Sequence, residues 1–419
     1  MFKFIHAADI HLDSPLRRLE QYEGAPVAAI REATRRALVR LVDLALAEKV
    51  QLLLIAGDVY DGDWNDYETG LFFNKQMLRL RDGGVPVVII SGNHDADNVM
   101  TRTLQLPDNV RTLAADQAET FELTEPRVAI HGQSFADRAV LRNLSTDYPA
   151  ARPGWFNIGL LHTCATGDSG HEPYAPCTVA DLLNKHYQYW ALGHVHDRRC
   201  LNESPPIHFS GNLQGRHPKE TGAKGCLLVT VDDNLNVAVD FRAVDVFRWE
   251  VLSLDVSGLD DEQSLRDVFR NALIELRDRH EGMPLAVRVE LTGNTPLHGR
   301  LHTERPHWDN QLRADAAGVA ESIWLEQIKL RTEPPPHAIE ELPEDGPIGE
   351  LRECLAALGD DEAALAELAE ELASLHRQLP AELAADEQLA WDSPAVIRNL
   401  LADVEPLLLS RLQAEGASP

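Results

Sequence analysis

Seven residues have side chains of the types that bind divalent cations: Asp9, His11, Asp58, Asn93, His162, His194 and His196. Each falls just after a short apolar run. Carboxylate, amide and imidazole donors with no thiolate among them suit Mn²⁺, Fe or Zn²⁺, and Mn²⁺ is favoured where oxygen donors are many. The set is too large for one ion and suits two, with Asp58 offering an oxygen to each. Two such ions about 3.5–4 Å apart clamp a phosphoryl group for in-line displacement by water. His94 is not needed as a ligand. It is placed to protonate or stabilise the departing oxygen, and Asp95 is expected to orient its imidazole. Taken singly, each segment also reads as an ordinary turn or polar loop. Five in order, each behind an apolar strand, point to one site.

The elements that would position these residues follow from periodicity. Ser91-Gly92-Asn93-His94-Asp95 follows an apolar run at 85–90 that reads as a buried strand. Chemistry in α/β folds gathers at the carboxyl ends of such strands. Residues 2–8 and 50–56 read as two more, ending at Asp9-Ile10-His11 and at Gly57-Asp58-Val59-Tyr60-Asp61. The pairs Asp9/His11 and His194/His196 read as same-side neighbours on extended chain. Asp61 reads as a loop residue or an outer partner of the ligands. Helical spacing over 27–48 and 67–80 separates the strands, and the order β-α-β-α-β argues a layered α/β domain. Further strands are expected at 127–131, 156–161, 189–192, 207–209, 226–231 and 236–244. The loop at 210–225 is rich in glycine and carries Arg216, His217, Lys219 and Lys224. It reads either as an electropositive holder of a phosphodiester or as a solvated connection.

The 419 residues leave room for two or three domains. A net charge of −28 argues against a simple nucleic-acid or anionic-membrane binder. The excess is uneven, with 19 acidic and 4 basic residues from Glu340 onward. More than half of the charge therefore lies in the tail region, and the remainder is less hostile to a polyanion. Cys164, Cys177, Cys200, Cys226 and Cys354 are odd in number and never form a CxxC pair. They read as reduced thiols of a cytoplasmic protein. The amino terminus runs straight into a strand, and no apolar run approaches the length of a membrane span.

From residue 246 the character changes. Strands at 248–254, 285–291 and 323–331 with a helix at 264–279 suggest a small accessory unit. Pro334-Pro335-Pro336 reads as a stiff linker. Beyond it, Leu365, Leu368, Leu372, Leu375 and Leu379 form one apolar stripe. Ser393-Pro394 opens a second helix carrying Leu400, Leu401, Val404, Leu407, Leu408 and Leu412. These helices would pack on each other or dock on a partner.

The succession D-x-H…G-D…G-N-H-D…H…G-H-x-H, from Asp9 to His196, resembles that of the calcineurin-like metallophosphoesterases. The resemblance implies an α/β fold, a four-layer αββα sandwich with a small α+β cap domain and C-terminal helices. It assigns Asp9, His11, Asp58 and His196 to one metal, and Asp58, Asn93, His162 and His194 to the other. The stretches 4–13, 189–196 and 211–217 are similar to the DNA-repair nuclease branch, SbcD-like and YhaO-like proteins. That likeness implies a nuclease domain at 1–245, a cap at 246–332, and a proline linker with an acidic, partner-docking tail at 333–419. It further implies Mn²⁺-dependent exonuclease or endonuclease cleavage of DNA, an SMC-like (SbcC/YhaN-type) ATPase held by the tail helices, no membrane partner, and a possible homodimer. Arg216, His217 and Lys219 are the expected substrate contacts. Two alternatives remain: a phosphoesterase for a small nucleotide or phosphoester, and a mainly structural subunit of an ATPase complex.

Overall fold

The computed structural model describes residues 1–14, 27–61, 67–96, 105–165, 174–335, 347–376, 391, 393–398, 400, 401, 404 and 408. Pro336, Leu379, Leu407 and Leu412 lie outside the described residues. The chain divides into two compact units. The first is Met1–Glu250 with Gly282–Val287, and the second is Val251–Glu281 with Arg288–Pro419.

The first unit contains two six-stranded sheets. β1 (Phe2–Ala7), β2 (Leu52–Ala56), β3 (Val87–Ile90) and β4 (Val110–Thr112) run parallel. The intervening α1 (Val27–Ala47) and α2 (Glu68–Asp82) cover one face of their sheet. In the second sheet, β5 (Glu119–Leu123) is antiparallel to β6 (Val128–Gly132). β6, β7 (Phe156–His162) and β8 (Tyr189–Gly193) are parallel, and β9 (Arg199–Glu203) and β10 (Pro206–Phe209) extend the sheet. β11 (Gly225–Val231) returns to the first sheet antiparallel to β1 and pairs with β12 (Val237–Ala243).

The near-continuous apolar strands are explained by burial on both faces. Alternate residues of β1 to β3 point to opposite sides. Ile5, Leu53, Ile55, Val87 and Ile89 meet Leu38, Leu41, Phe73 and Met77 of the helices. Phe4, Leu52, Leu54, Val88 and Ile90 meet Ile130, Phe156, Ile158 and Tyr189 of the other sheet. Trp190 and Leu192, on the far face of that sheet, pack with Leu144, Tyr148 and Leu182. Leu182 belongs to α4 (Val179–Leu183), so the layers run helix, sheet, sheet, helix.

The residue after each of the central parallel strands therefore emerges on one edge. Asn93–Ala96 forms a short helix, α3, immediately beyond β3. β4, β5 and β9 were not expected from the sequence; their residues are intermediate or exposed, so they lack the apolar signature of β1 to β3.

β13 (Arg248–Asp255) and β14 (Leu285–Asn294), whose first residues belong to the first unit, form a three-stranded sheet with β15 (Ile323–Glu333) of the second. α5 (Glu262–Arg279) buries Leu265, Phe269, Leu273 and Leu276 at helical spacing. α6 (His298–Thr303) and α7 (Arg305–Val319) are additional to the elements expected there. Asp315 of α7 accepts from Arg266 of α5 at 2.8 and 2.9 Å. α8 (Pro347–Asp360) and α9 (Glu362–His376) follow. Leu365 and Ala369 of α9 are buried with Ile397, beyond the Ser393-Pro394 start, and Trp391 and Leu401 pack around them. Part of the tail's apolar stripe is therefore spent on packing within the tail. No helix among the described residues is long and apolar enough to cross a membrane.

Candidate metal centre

The strand-end residues converge into three overlapping groups whose donor atoms lie within 4.8 Å of one another: Asp9/His11/His196, Asp58/His162/His194 and His11/Asp58/His94. Asp58 is shared between the last two groups, and Asn93 joins the second through His162. The two histidines of the Gly193-His194-Val195-His196 turn thus serve different groups.

Backbone geometry makes this possible, and it differs from the extended pairs expected. Asp9, His11, Asp58 and His194 take φ values of +50, +45, +52 and +102°. Left-handed backbone at non-glycine residues costs about 1–3 kcal/mol each and persists only where surroundings enforce it. Here they do. Asp9 and His11 donate backbone N–H groups to the carbonyls of Gly57 and Asp58, both at 3.0 Å. The His194 N–H donates to both carboxylate oxygens of Asp9 at 3.1 Å. The His94 N–H donates to Oδ1 of Asp58 at 3.0 Å.

The hydrogen-bonding pattern fits bound cations. His162 Nδ1 lies 2.9 Å from the carbonyl of Ala56, which assigns its proton to Nδ1 and leaves an Nε2 lone pair. That Nε2 faces Oδ1 of Asn93, another acceptor, at 3.0 Å, and Oδ2 of Asp58 at 3.4 Å. Similarly, His196 Nδ1 lies 2.6 Å from the Glu220 carboxylate, so its Nε2 lone pair faces Nε2 of His11 at 3.1 Å. Acceptors turned toward one another need a proton or a cation between them. Without a cation, burial disfavours a charged His162, but the Asp58 and Asp9 carboxylates prevail and raise its pKa to about 9. Burial and the Arg216 charge lower His11 to about 3, leaving it neutral and able to ligate.

Asp61, rather than Asp95, is the carboxylate beside His94. Its Oδ1 lies 2.8 Å from His94 Nδ1. Burial opposes charge on His94, but the Asp61 hydrogen bond and the nearby Asp58 raise its pKa above the usual value. The expected role of Asp95 is therefore corrected. The α3 turn carries its carboxylate under the loops, where it accepts from the N–H groups of Val59, Tyr60 and Gly92 at 3.2, 3.0 and 3.1 Å. Burial and the Asp58 charge raise its pKa to about 7. Asp95 thus ties the Asp58 loop to the Asn93 loop.

Arg216 is largely enclosed, with 14% of its side chain exposed. Its guanidinium lies 3.1 Å from Asp61 and 3.5 Å from Glu220. His217 lies 3.3 Å from Glu220 with its ring half exposed, and Lys219 is exposed. Lys224 is buried and donates to Asp197 at 3.3 Å. The sequence reading passed over Glu220, the acidic residue among these cations. Its position next to His217 and Lys219 was the available signal.

Gly92 is where the backbone approaches the site most tightly. A Cβ there would lie 2.2 Å from Oδ1 of Asp58 and 2.8 Å from Cε1 of His162. Gly92→Ala should displace both side chains and weaken Mn²⁺ binding at least tenfold by calorimetry, while the far-ultraviolet circular dichroism stays that of the wild type.

An αββα sandwich whose strand ends gather overlapping groups of imidazole and carboxylate donors, two of them sharing Asp58, has the make-up of a metallohydrolase. The chain belongs to the calcineurin-like phosphoesterases. That family matches residues 2–198, and a second one, the middle domain of metallophosphoesterase YhaO, matches residues 249–333. The chain is 36% identical over 297 residues to the "Uncharacterized metallophosphoesterase YhaO" of Bacillus subtilis, covering 70% of this chain and 72% of that one. It is 22% identical over 307 residues to the "DNA double-strand break repair protein Mre11" of Sulfolobus acidocaldarius, covering 70% and 76%. The protein of the same name from Sulfurisphaera tokodaii is 23% identical over 284 residues, covering 64% and 69%. A solved dimetal phosphatase from Danio rerio aligns at 13% identity over 58% of this chain and 96% of its own, with a TM-score of 0.36.

Proposed function

We propose that this chain is a Mn²⁺-dependent phosphodiesterase that cleaves DNA. The observation that carries the reading is the convergence of the Asp9/His11/His196 and Asp58/His162/His194 groups, linked by a third group in which Asp58 meets His11 and His94. Two bound cations would neutralise phosphate oxygens and provide a nucleophile at neutral pH. Asp9, His11, Asp58 and His196 would hold one; Asp58, Asn93, His162 and His194 would hold the other. His94, oriented by Asp61, would hand a proton to the departing oxygen. His217 and Lys219, both exposed, would meet the backbone of a polymer. The relatives named as double-strand break repair proteins support DNA as the substrate. An SMC-like ATPase would bind the tail, where Leu375, Val404 and Leu408 remain exposed.

The test uses the full chain on labelled single- and double-stranded DNA with Mn²⁺, Mg²⁺ or EDTA. The expected result is cleavage with Mn²⁺ that EDTA abolishes. The acidic net charge of −28 favours a second reading, a small nucleotide or phosphoester substrate. Hydrolysis of a small diester with no DNA cleavage, even with the ATPase added, would replace the first reading by the second.

A further inference from the structure

We infer that Glu220 and Arg216 form a positioning clamp that fixes the ligand tautomer of His196 at one end and the orientation of His94 at the other. This rests on the reading of the site as a two-cation centre, and it gives Arg216 a role other than holding substrate.

At the Glu220 end, the residue is 4% exposed and both its oxygens are engaged. Oε1 accepts from His196 Nδ1 at 2.6 Å. Oε2 accepts from Asn212 Nδ2 at 3.0 Å and from the Arg216 N–H at 2.7 Å. The Arg216 guanidinium and the His217 Nε2 lie 3.5 and 3.3 Å from Oε1. A carboxylate in this position commits the histidine proton to Nδ1 and so turns the Nε2 lone pair toward His11. Carboxylate–histidine–metal chains of this kind orient the ligand and raise its basicity, and losing the outer partner costs about 10–100-fold in metal affinity.

At the other end, Arg216 Nη1 donates to Oδ2 of Asp61 at 3.1 Å and to Oγ of Ser14 at 3.3 Å. Ser14 in turn donates to the same Asp61 oxygen. The other oxygen of Asp61 faces His94. One guanidinium therefore spans the carboxylate behind a cation ligand and the carboxylate behind the proton donor. Nη1 of its fork is hydrogen-bonded to Asp61 and Ser14, while Nη2 lies 3.5 Å from Glu220 Oε1 and 3.3 Å from His196 Nδ1, a spread of contacts that a lysine ammonium does not reproduce. In three dimensions the chain reads His196–Glu220–Arg216–Asp61–His94, although its members are scattered from position 61 to position 220.

The two ends predict different failures. Glu220→Gln places an amide NH₂ against the Asn212 and Arg216 donors or against His196 Nδ1–H, so one donor always faces another. Calorimetry on the full chain should find two Mn²⁺ ions on the wild type. In E220Q, one of them should bind about 10–100-fold more weakly. Histidine ¹⁵N shifts of the metal-free protein should show one residue losing its Nδ1–H tautomer. Arg216→Lys should keep both ions at near wild-type affinity and lower kcat at least tenfold with little change in KM. Unchanged tautomer and Mn²⁺ affinity in E220Q, with wild type still binding two ions, would overturn the clamp alone. So would a kcat for R216K equal to that of wild type. A rise in KM for R216K without a fall in kcat would return Arg216 to the substrate. Absence of Mn²⁺ binding in the wild type itself would overturn the two-cation reading and the clamp with it.

Discussion

Replacing Asp58 by asparagine is expected to abolish hydrolysis without unfolding the protein. The carboxylate occupies the middle of the site. Oδ2 lies 3.4 Å from His162 Nε2 and 3.9 Å from His11 Nε2, one imidazole from each donor group. Oδ1 meanwhile accepts the His94 N–H. Burial opposes its charge, yet His162, His11 and His94 hold its carboxyl well below the usual carboxylate range. An amide keeps the shape and the Oδ1 hydrogen bond but removes the negative charge from both groups. Asparagine also tolerates the left-handed backbone at φ +52°, where alanine would add strain. The charge neutralisation supplied by such cations amounts to several kcal/mol, and about 1.4 kcal/mol is tenfold, so activity should fall about 10³-fold or more. A thermal melt provides an independent readout. Ligands that bind only the folded state raise Tm by mass action. Mn²⁺ should raise Tm for wild type and leave the variant unchanged. A variant that still gains Tm with Mn²⁺ and still hydrolyses would show that Asp58 does not bridge.

Much of this cluster was legible because its donor residues lie at or just beyond the ends of buried strands. The apolar runs at 50–56 and 85–90 stand out because both of their faces are buried, and the sheet then delivers Asp58 and Asn93 to one edge. What depended on loop geometry was hidden. Asp95 adjoins His94 in sequence, but the α3 turn sends it to three backbone N–H groups instead. Asp61 reaches His94 because the chain doubles back at Gly57, whose φ is +94° and whose Cβ would lie 2.5 Å from His162 Nδ1. Asp9 and His11 converge through left-handed backbone, not through the extended spacing that first suggested the pair. Glu220 was overlooked because neighbouring Arg216, His217 and Lys219 drew attention to phosphate, although two of these three sit against it. In the accessory unit, α7 escaped the periodicity because its inward face includes Asp315, which is buried only because Arg266 and Arg270 meet it.

Replacing His94 by alanine should separate proton transfer from cation binding. Of the site histidines this one is comparatively open, with 35% of its side chain exposed. Its Nδ1 is occupied by Asp61, which leaves Nε2 as the atom available to a leaving oxygen. In the metal-free protein the Asp61 hydrogen bond and the Asp58 charge raise its pKa above the usual histidine value, and the Asp61 contact favours the protonated state a general acid requires. A positioned acid contributes about 10²–10⁴-fold, so H94A should lose that much in kcat toward a substrate with a poor leaving group. A substrate whose leaving group is already a good one, such as a nitrophenyl diester, needs less proton donation and should be spared in proportion. Mn²⁺ binding should persist, because Asp9, His11, Asp58, Asn93, His162, His194 and His196 are untouched. The proximity of His94 to His11 and Asp58 makes this the informative control. If H94A loses an ion together with its activity, His94 is a ligand and the acid must be sought elsewhere. If both ions remain and the loss depends on the leaving group, His94 is the proton donor and Asp61 is the residue that aims it.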